Sequence, residues 1–457
     1  MGSDHRRRAA GPCRDLSAGT GGCPRFLLRA HMMTGPRVGW FGDDFTGASD
    51  TLGTYAEAGV SAALLTRIAT PQQLKRLGPV VALGLAGKTR ALDREAMVEA
   101  LAPVGPFFAG LGIRLLHYKC CSTFDSAPEI GNLSVAINAL RASFPTPTLP
   151  IVGGQPNLRR YCLFGHLFAA AGQAGAVFRI DRHPTMSRHP VTPMGEADLA
   201  LHLQRLGMGA ITNVPYPAMA LGEASSVFVE AATRGDDAVL LDVSRTEDLD
   251  AIGSLLWQEA SCRPLLALGA SGVAQALLPG LSKSDSASTL RPRVEGPAFV
   301  LVGSLSPVTR AQAEAAPSYD KIQIDPERLV VDDLYAGTLA EMLVARLSEG
   351  RHTMALTREM RSETVTNRQV AIATAALADA VLTSGAARKA CIAGGDTSSY
   401  FMGVVDGWAL RHLGNVGPGS PVCELLSDQP RLDGLNLVLK GGQMGDRDVF
   451  ERLARWS

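Results

Sequence analysis

The sequence predicts an α/β protein of two domains, each a largely parallel sheet flanked by helices, with the active site in the interdomain cleft. A chain of 457 residues exceeds one ordinary domain. From Val38 onward, short apolar runs alternate with amphipathic stretches, the pattern of strands joined by crossover helices. Glycine is abundant at 48 residues while aromatics make up only 5%, which suits many tight strand-to-helix turns better than a platform for stacked bases.

The first element is an extended run from Val38 to Phe41, followed by a helix from about Ala48 with Leu52, Tyr55, Ala56 and Gly59 at helical spacing. Asp43 and Asp44 therefore fall in the connecting turn, at the strand edge where open α/β sheets bind ligands. Two carboxylates there suit binding of hydroxyls, proton abstraction or a cation; equally, one caps the helix and the other is solvated. Further strands are read in Ala62–Leu65, Val80–Leu83, Arg114–Tyr118, Ala238–Leu241 and Leu265–Leu268. The last of these ends in Gly269-Ala270-Ser271-Gly272, read as the closing turn of the first domain. Lys88 and Arg90 also follow an apolar run, and either contact a ligand or are solvated.

The polar stretch 281–296, bounded by Pro279 and Pro297, is the linker between a first domain (37–280) and a second (297–457). Residues 1–36 are Arg-rich and lack the apolar core of a secretory signal. They read as a disordered extension or a misassigned start, with Met32 or Met33 a sensible first residue. In the second domain three strands each run into a turn of small residues: Gly303-Ser304-Leu305-Ser306-Pro307, Gly394-Gly395-Asp396-Thr397-Ser398 and Lys440-Gly441-Gly442. Backbone N–H groups, hydroxyls and helix N-termini of this kind can cradle phosphates. None is a Walker A, protein-kinase or dinucleotide fingerprint.

With 44 basic and 44 acidic residues there is no net pull towards nucleic acid or an anionic membrane, so the partner is a small molecule. Eight cysteines without a C-x-x-C pair argue against a zinc site or disulfide framework, and no apolar run approaches the ~20 residues of a membrane span. A cytoplasmic location fits that cysteine usage.

Taken together, five elements resemble the four-carbon acid sugar kinase family. They are Asp43-Asp44-Phe45-Thr46-Gly47-Ala48, Lys119-Cys120-Cys121-Ser122-Thr123, Gly303-Ser304-Leu305-Ser306-Pro307-Val308-Thr309, Gly394-Gly395-Asp396-Thr397-Ser398 and Leu439-Lys440-Gly441-Gly442. The resemblance covers nearly everything after Val38 and implies an N-terminal sugar-acid-binding domain, a C-terminal nucleotide-binding domain and phosphorylation of a sugar-acid hydroxyl by ATP. It implies Asp43, Asp44 and Lys119 as catalytic residues, with either acid as base and Lys119 facing either the substrate's carboxylate or the transferred phosphoryl group, unless it is a solvated strand-end lysine. Thr46, Gly47, Ser122, Thr123 and Asp125 would contact substrate. Ser304, Ser306, Gly394, Gly395, Asp396, Thr397, Gly441 and Gly442 would hold ATP. Magnesium would arrive with ATP, with no dedicated metal site in the protein.

Threonate and erythronate kinases of this family follow Ser-Thr with Leu-Arg-Gly, where this chain has Phe124-Asp125-Ser126, so an arginine able to pair with a carboxylate is absent. That form, with the Arg- and His-dense run Asp181–Pro193, resembles a subgroup that includes 3-oxo-isoapionate kinases. Arg182 or Arg188 could then take the carboxylate and His183 a sugar hydroxyl; the alternative is a Pro-stiffened linker with solvated charges. A homo-oligomer is compatible with all of this. Two other readings stay open, a nicotinamide-dependent sugar-acid oxidoreductase and a non-catalytic sugar-acid sensor.

Overall fold

A computed structural model describes residues 35–456 apart from 172–174, 190, 284–293, 304–305, 361–363, 418, 443 and the side chain of Asp396. The expected N-terminal extension and most of the expected linker lie outside the described residues.

The strands of the first half are β1 (Val38–Gly42), β2 (Ala62–Leu65), β3 (Ala82–Ala86), β4 (Leu115–Lys119), β5 (Leu149–Val152), β6 (Arg160–Leu163), β7 (His166–Ala170), β8 (Val177–Arg179), β9 (Ile211–Val214), β10 (Ala238–Leu241) and β11 (Leu265–Gly269). Those of the second half are β12 (Ala298–Val302), β13 (Asp320–Ile324), β14 (Thr353–Thr357), β15 (Lys389–Ala393), β16 (Ala409–Asn415), β17 (Pro421–Leu426) and β18 (Leu435–Lys440). Fifteen of them form one continuous sheet in the order β13-β14-β12-β15-β18-β17-β16-β2-β3-β1-β4-β11-β5-β10-β9. β6, β7 and β8 form a separate antiparallel sheet.

Each half repeats one topology. Around the first strand the order is β2-β3-β1-β4 in the first half and β13-β14-β12-β15 in the second, all parallel. The chain leaves the first strand to one side and returns on the other, so each half has a switch point, between β1 and β4 and between β12 and β15. Ligands of open α/β sheets bind in such crevices.

The α/β class holds, and the two halves join edge to edge. β2 pairs antiparallel with β16, Leu65 opposite Ala409 and Ala63 opposite Arg411. Polar bonds reinforce the seam: Thr66 Oγ1 to the Gly407 carbonyl (2.5 Å), Gln73 Nε2 to Asp428 (2.8 Å) and Arg76 to Asp433 (2.5 Å). Through β16 and β17 the parallel strands of the second half run opposite to those of the first. β1 and β15 stand six positions apart in this sheet, about 29 Å at roughly 4.8 Å per strand.

Strand alternation supplies both faces of the core. Val38 and Trp40 pack on the helix Phe45–Glu57 through Leu52 and Tyr55, while Phe41 turns to the opposite cluster with Tyr118.

Candidate active site

The acid pair lies at the first switch point. The Asp43 N–H donates to the Lys119 carbonyl (2.9 Å), fixing the end of β1 against the end of β4. Asp44 caps the helix Phe45–Glu57, its Oδ1 accepting from the Gly47 N–H at 2.7 Å. Between the two acids sits Arg90. Its Nε and Nη2 form a fork on Asp43 (3.1 and 2.7 Å), and Nη1 reaches Asp44 Oδ2 at 3.0 Å. The environments differ: the Asp43 side chain is 3% exposed and Asp44 30%. Burial pushes the Asp43 carboxyl above the ordinary carboxylate range, although Arg90 opposes the shift.

Lys119 is buried beside them, and a Cβ added to Gly47 would stand 2.2 Å from its Nζ. Burial alone would lower this ammonium, but Asp43, Asp44 and Asp50 more than offset it and hold the pKa above its usual value. Beyond it the chain turns through Phe124, a non-glycine residue at φ 53°. Thr123 Oγ1 bonds Cys121 Sγ (2.9 Å) and Asp125 Oδ1 (2.6 Å), and Thr192 Oγ1 closes on Asp125 Oδ2 (3.3 Å). Burial would raise Asp125, but Arg90 and Thr123 keep it below the usual range. Thr192 brings the Arg- and His-dense segment back over the turn after β4. Ser122 is partly buried there, and Thr46 is exposed at the start of its helix.

His183, expected to take a sugar hydroxyl, is buried, its Nδ1 accepting from the N–H groups of Thr185 and Met186 (3.2 and 3.1 Å) and its Nε2 lying 3.4 Å from the Ala170 carbonyl, so the ring ties its own loop together. Arg182 and Arg188 are exposed on short 3-10 turns.

A second polar cluster lies on the same carboxyl edge. Ser271 Oγ donates to Asp50 Oδ2 (2.5 Å) and meets Thr51 Oγ1 (2.9 Å), while Gln155 Nε2 reaches Asp50 Oδ2 (3.3 Å). Gly272 allows this approach, since its Cβ would lie 2.2 Å from the Gly154 carbonyl. The turns after β5 and β11 are thereby tied to the helix that Asp44 caps.

At the second switch point the small-residue turns interlock. The Gly303 N–H donates to the Ala393 carbonyl (2.9 Å), and a Cβ on Gly303 would meet Thr397 Oγ1 at 2.2 Å. Gly394 sits at φ 136°, open to glycine, and Gly395 begins the helix Gly395–Val404. Ser306 is the N-cap residue of the helix Pro307–Glu314. Lys440 is fully buried, its Nζ donating to Thr309 Oγ1 (3.2 Å) and to the Gly441 and Met444 carbonyls (3.1 Å each). Thr309 in turn donates to the Gly442 carbonyl at 2.7 Å. Lys440 therefore shapes the 441–445 loop. Ser304 and the Asp396 side chain lie outside the described residues.

Of the expected substrate-side residues, the structure brings together Asp43, Asp44, Gly47, Lys119, Thr123 and Asp125. Arg90 is ambiguous in the sequence and Asp50 and Gln155 carry no local signal, because only tertiary contact links them to the acid pair.

A family model described as a sugar-binding N-terminal domain matches residues 38–277, and one described as a nucleotide-binding C-terminal domain matches residues 299–450. The chain belongs to the four-carbon acid sugar kinase family, whose two parts these are. Among particular proteins, it is 34% identical to a 3-oxo-isoapionate kinase of Paraburkholderia graminis, over 90% of this chain and 93% of that one. It is 29% identical to a 3-oxo-tetronate kinase of Cupriavidus necator, over 92% and 97%. A Haemophilus influenzae protein of family DUF1537 shares the fold, with a TM-score of 0.74 at 23% identity over 91% of this chain and 98% of that one. Among the described residues no helix is long and apolar enough to cross a membrane.

Proposed function

We propose that this chain is an ATP-dependent kinase acting on a hydroxyl of a four-carbon or branched acid sugar, of the 3-oxo-isoapionate or 3-oxo-tetronate type. One observation carries the reading: the same topology occurs twice, with a carboxylate-rich switch point in one half and a glycine- and hydroxyl-rich switch point in the other. The first suits a polyol, the second a polyphosphate.

Phosphoryl transfer asks the protein for alignment, charge stabilisation and acceptance of one proton. Asp44 is the base, because its carboxylate is the one open to a substrate hydroxyl. Asp43 fixes Arg90, and Arg90 aims Asp44. Lys119 offsets negative charge that develops beside the acids. Thr123 and Asp125 hold sugar hydroxyls. The turns containing Ser306, Gly394, Gly395, Thr397, Gly441 and Gly442 fit a nucleotide: the missing Cβ of Gly303 lets the turns after β12 and β15 close on each other, and backbone N–H groups lie at the start of the helix Gly395–Val404. When bound, ATP with Mg2+ supplies the phosphoryl group. Mg2+ is assigned to the phosphates, its usual ligands, and not to a protein cage.

The test is ADP release against threonate, erythronate, their 3-oxo forms and branched 3-oxo acid sugars. Turnover of at least one is expected, and silence with all of them overturns the reading. Asp44→Asn should cut kcat by about 100-fold or more, the usual scale for a general base, with ATP affinity kept. Equal loss of turnover and ATP binding would refute the division of labour between the halves.

A further inference from the structure

An acid sugar brings a carboxylate into a site that is already rich in acids. Arg90 is committed to Asp43 and Asp44, and Lys119, buried in the field of Asp43, Asp44 and Asp50, is the cation that the reading above gives to the developing phosphoryl charge. The arginine expected after Ser122-Thr123 is replaced by Asp125. A carboxylate therefore needs another cation on this edge, one without an acid partner of its own.

Arg160 meets that requirement. It opens β6, and Gln155 and Arg160 exchange backbone hydrogen bonds (2.9 and 3.2 Å), which pins it to the turn after β5. Gln155 in turn reaches Asp50, on the helix that Asp44 caps. Cys121, in the turn after β4, lies within electrostatic range of the guanidinium. Of the guanidinium nitrogens, Nη1 donates to the Leu158 carbonyl (2.7 Å). Nε is closed off from solvent with no hydrogen-bond partner. An unmade bond of this kind is costly, and turning the Nε–Nη2 edge to an anion removes the cost. It is the same edge that Arg90 gives to Asp43. The competing cations Lys88, Arg182 and Arg188 are exposed, so they are solvated before any ligand arrives.

We propose that Arg160 binds the substrate carboxylate through its Nε–Nη2 edge, replacing the arginine missing after Ser122-Thr123, and that it sets the preference for acid sugars over neutral ones. The proposal rests on the kinase reading above.

The experiment compares wild type, Arg160→Ala and Arg160→Lys in steady-state ADP release. Each is assayed with the acid sugar that wild type turns over best and with its neutral analogue, a hydroxymethyl group in place of the carboxylate. Arg160→Ala should raise KM for the acid by about ten- to hundred-fold, the scale of one charged hydrogen-bonded pair, with a smaller change in kcat. KM for the neutral analogue should stay put, and Arg160→Lys should recover part of the loss. Protection against heat by ATP, retained in Arg160→Ala, shows that the variant is folded. An unchanged KM for the acid, or equal losses for acid and neutral analogue, overturns the carboxylate site alone. Wild type inactive on every acid sugar overturns the kinase reading itself.

Discussion

Asp43 and Asp44 are neighbours in sequence and opposites in environment. The bond from the Asp43 N–H to the Lys119 carbonyl holds Asp43 inward against Arg90, while helix capping leaves Asp44 partly exposed, which is why the proposed mechanism makes one acid scaffold and the other base. His117, two residues before Lys119 on β4, shows the same control by burial. It is fully enclosed with Nε2 on the Gly269 carbonyl (2.9 Å), and burial lowers its pKa to about 3. In the unfolded chain the ring titrates near about 6.5. Between those values the unfolded state binds a proton that the native state refuses, so stability falls as pH drops through that window, by up to about 1.4 kcal/mol per unit. Urea unfolding from pH 7 to 4 should show this loss in wild type and a shallower one in His117→Gln. Parallel profiles would mean that His117 is not the group responsible.

At the scale of elements, the glycines decide which turns can touch. Val80–Leu83 reads as a strand from its apolar run, yet β3 is Ala82–Ala86 and carries Gly84 at its centre. The Trp40 ring occupies the place of a Gly84 Cβ, 2.1 Å from it, so a partner strand sets this one's extent. Gly47 and Gly303 make the same kind of approach in the two halves, one to Lys119 and one to Thr397. Gly303→Ala should push the turns after β12 and β15 apart and weaken ATP by about ten-fold or more, in keeping with the ~1–3 kcal/mol of an overpacked contact. Gly47→Ala should do likewise to the acid sugar. Thermal protection by each ligand separates the two effects, and a Gly303→Ala protein still fully protected by ATP would remove this turn from the nucleotide site.

For the whole molecule, the two switch points lie six strand positions apart along one continuous sheet. Direct transfer between ligands bound at them would require the halves to approach, which would also exclude water from the reacting groups. Small-angle scattering should record a smaller radius of gyration with a non-hydrolysable ATP analogue and acid sugar together than with either alone. No compaction would mean that transfer occurs without closure.

The sequence by itself determined the α/β class, the strand-to-helix turns and the order of the motifs, because hydrophobic periodicity and turn chemistry are local. It put Asp43-Asp44 at a strand end and the Gly/Ser turns after residue 300 at others. Only the tertiary structure decided that Arg90 divides the acid pair, that His183 serves its own loop, and that Arg160 stands against the turn after β5 without an acid partner. These are matters of which distant segments meet and how far each charge is withdrawn from water. Strand order and burial settle them, and neither is written in any single stretch of chain.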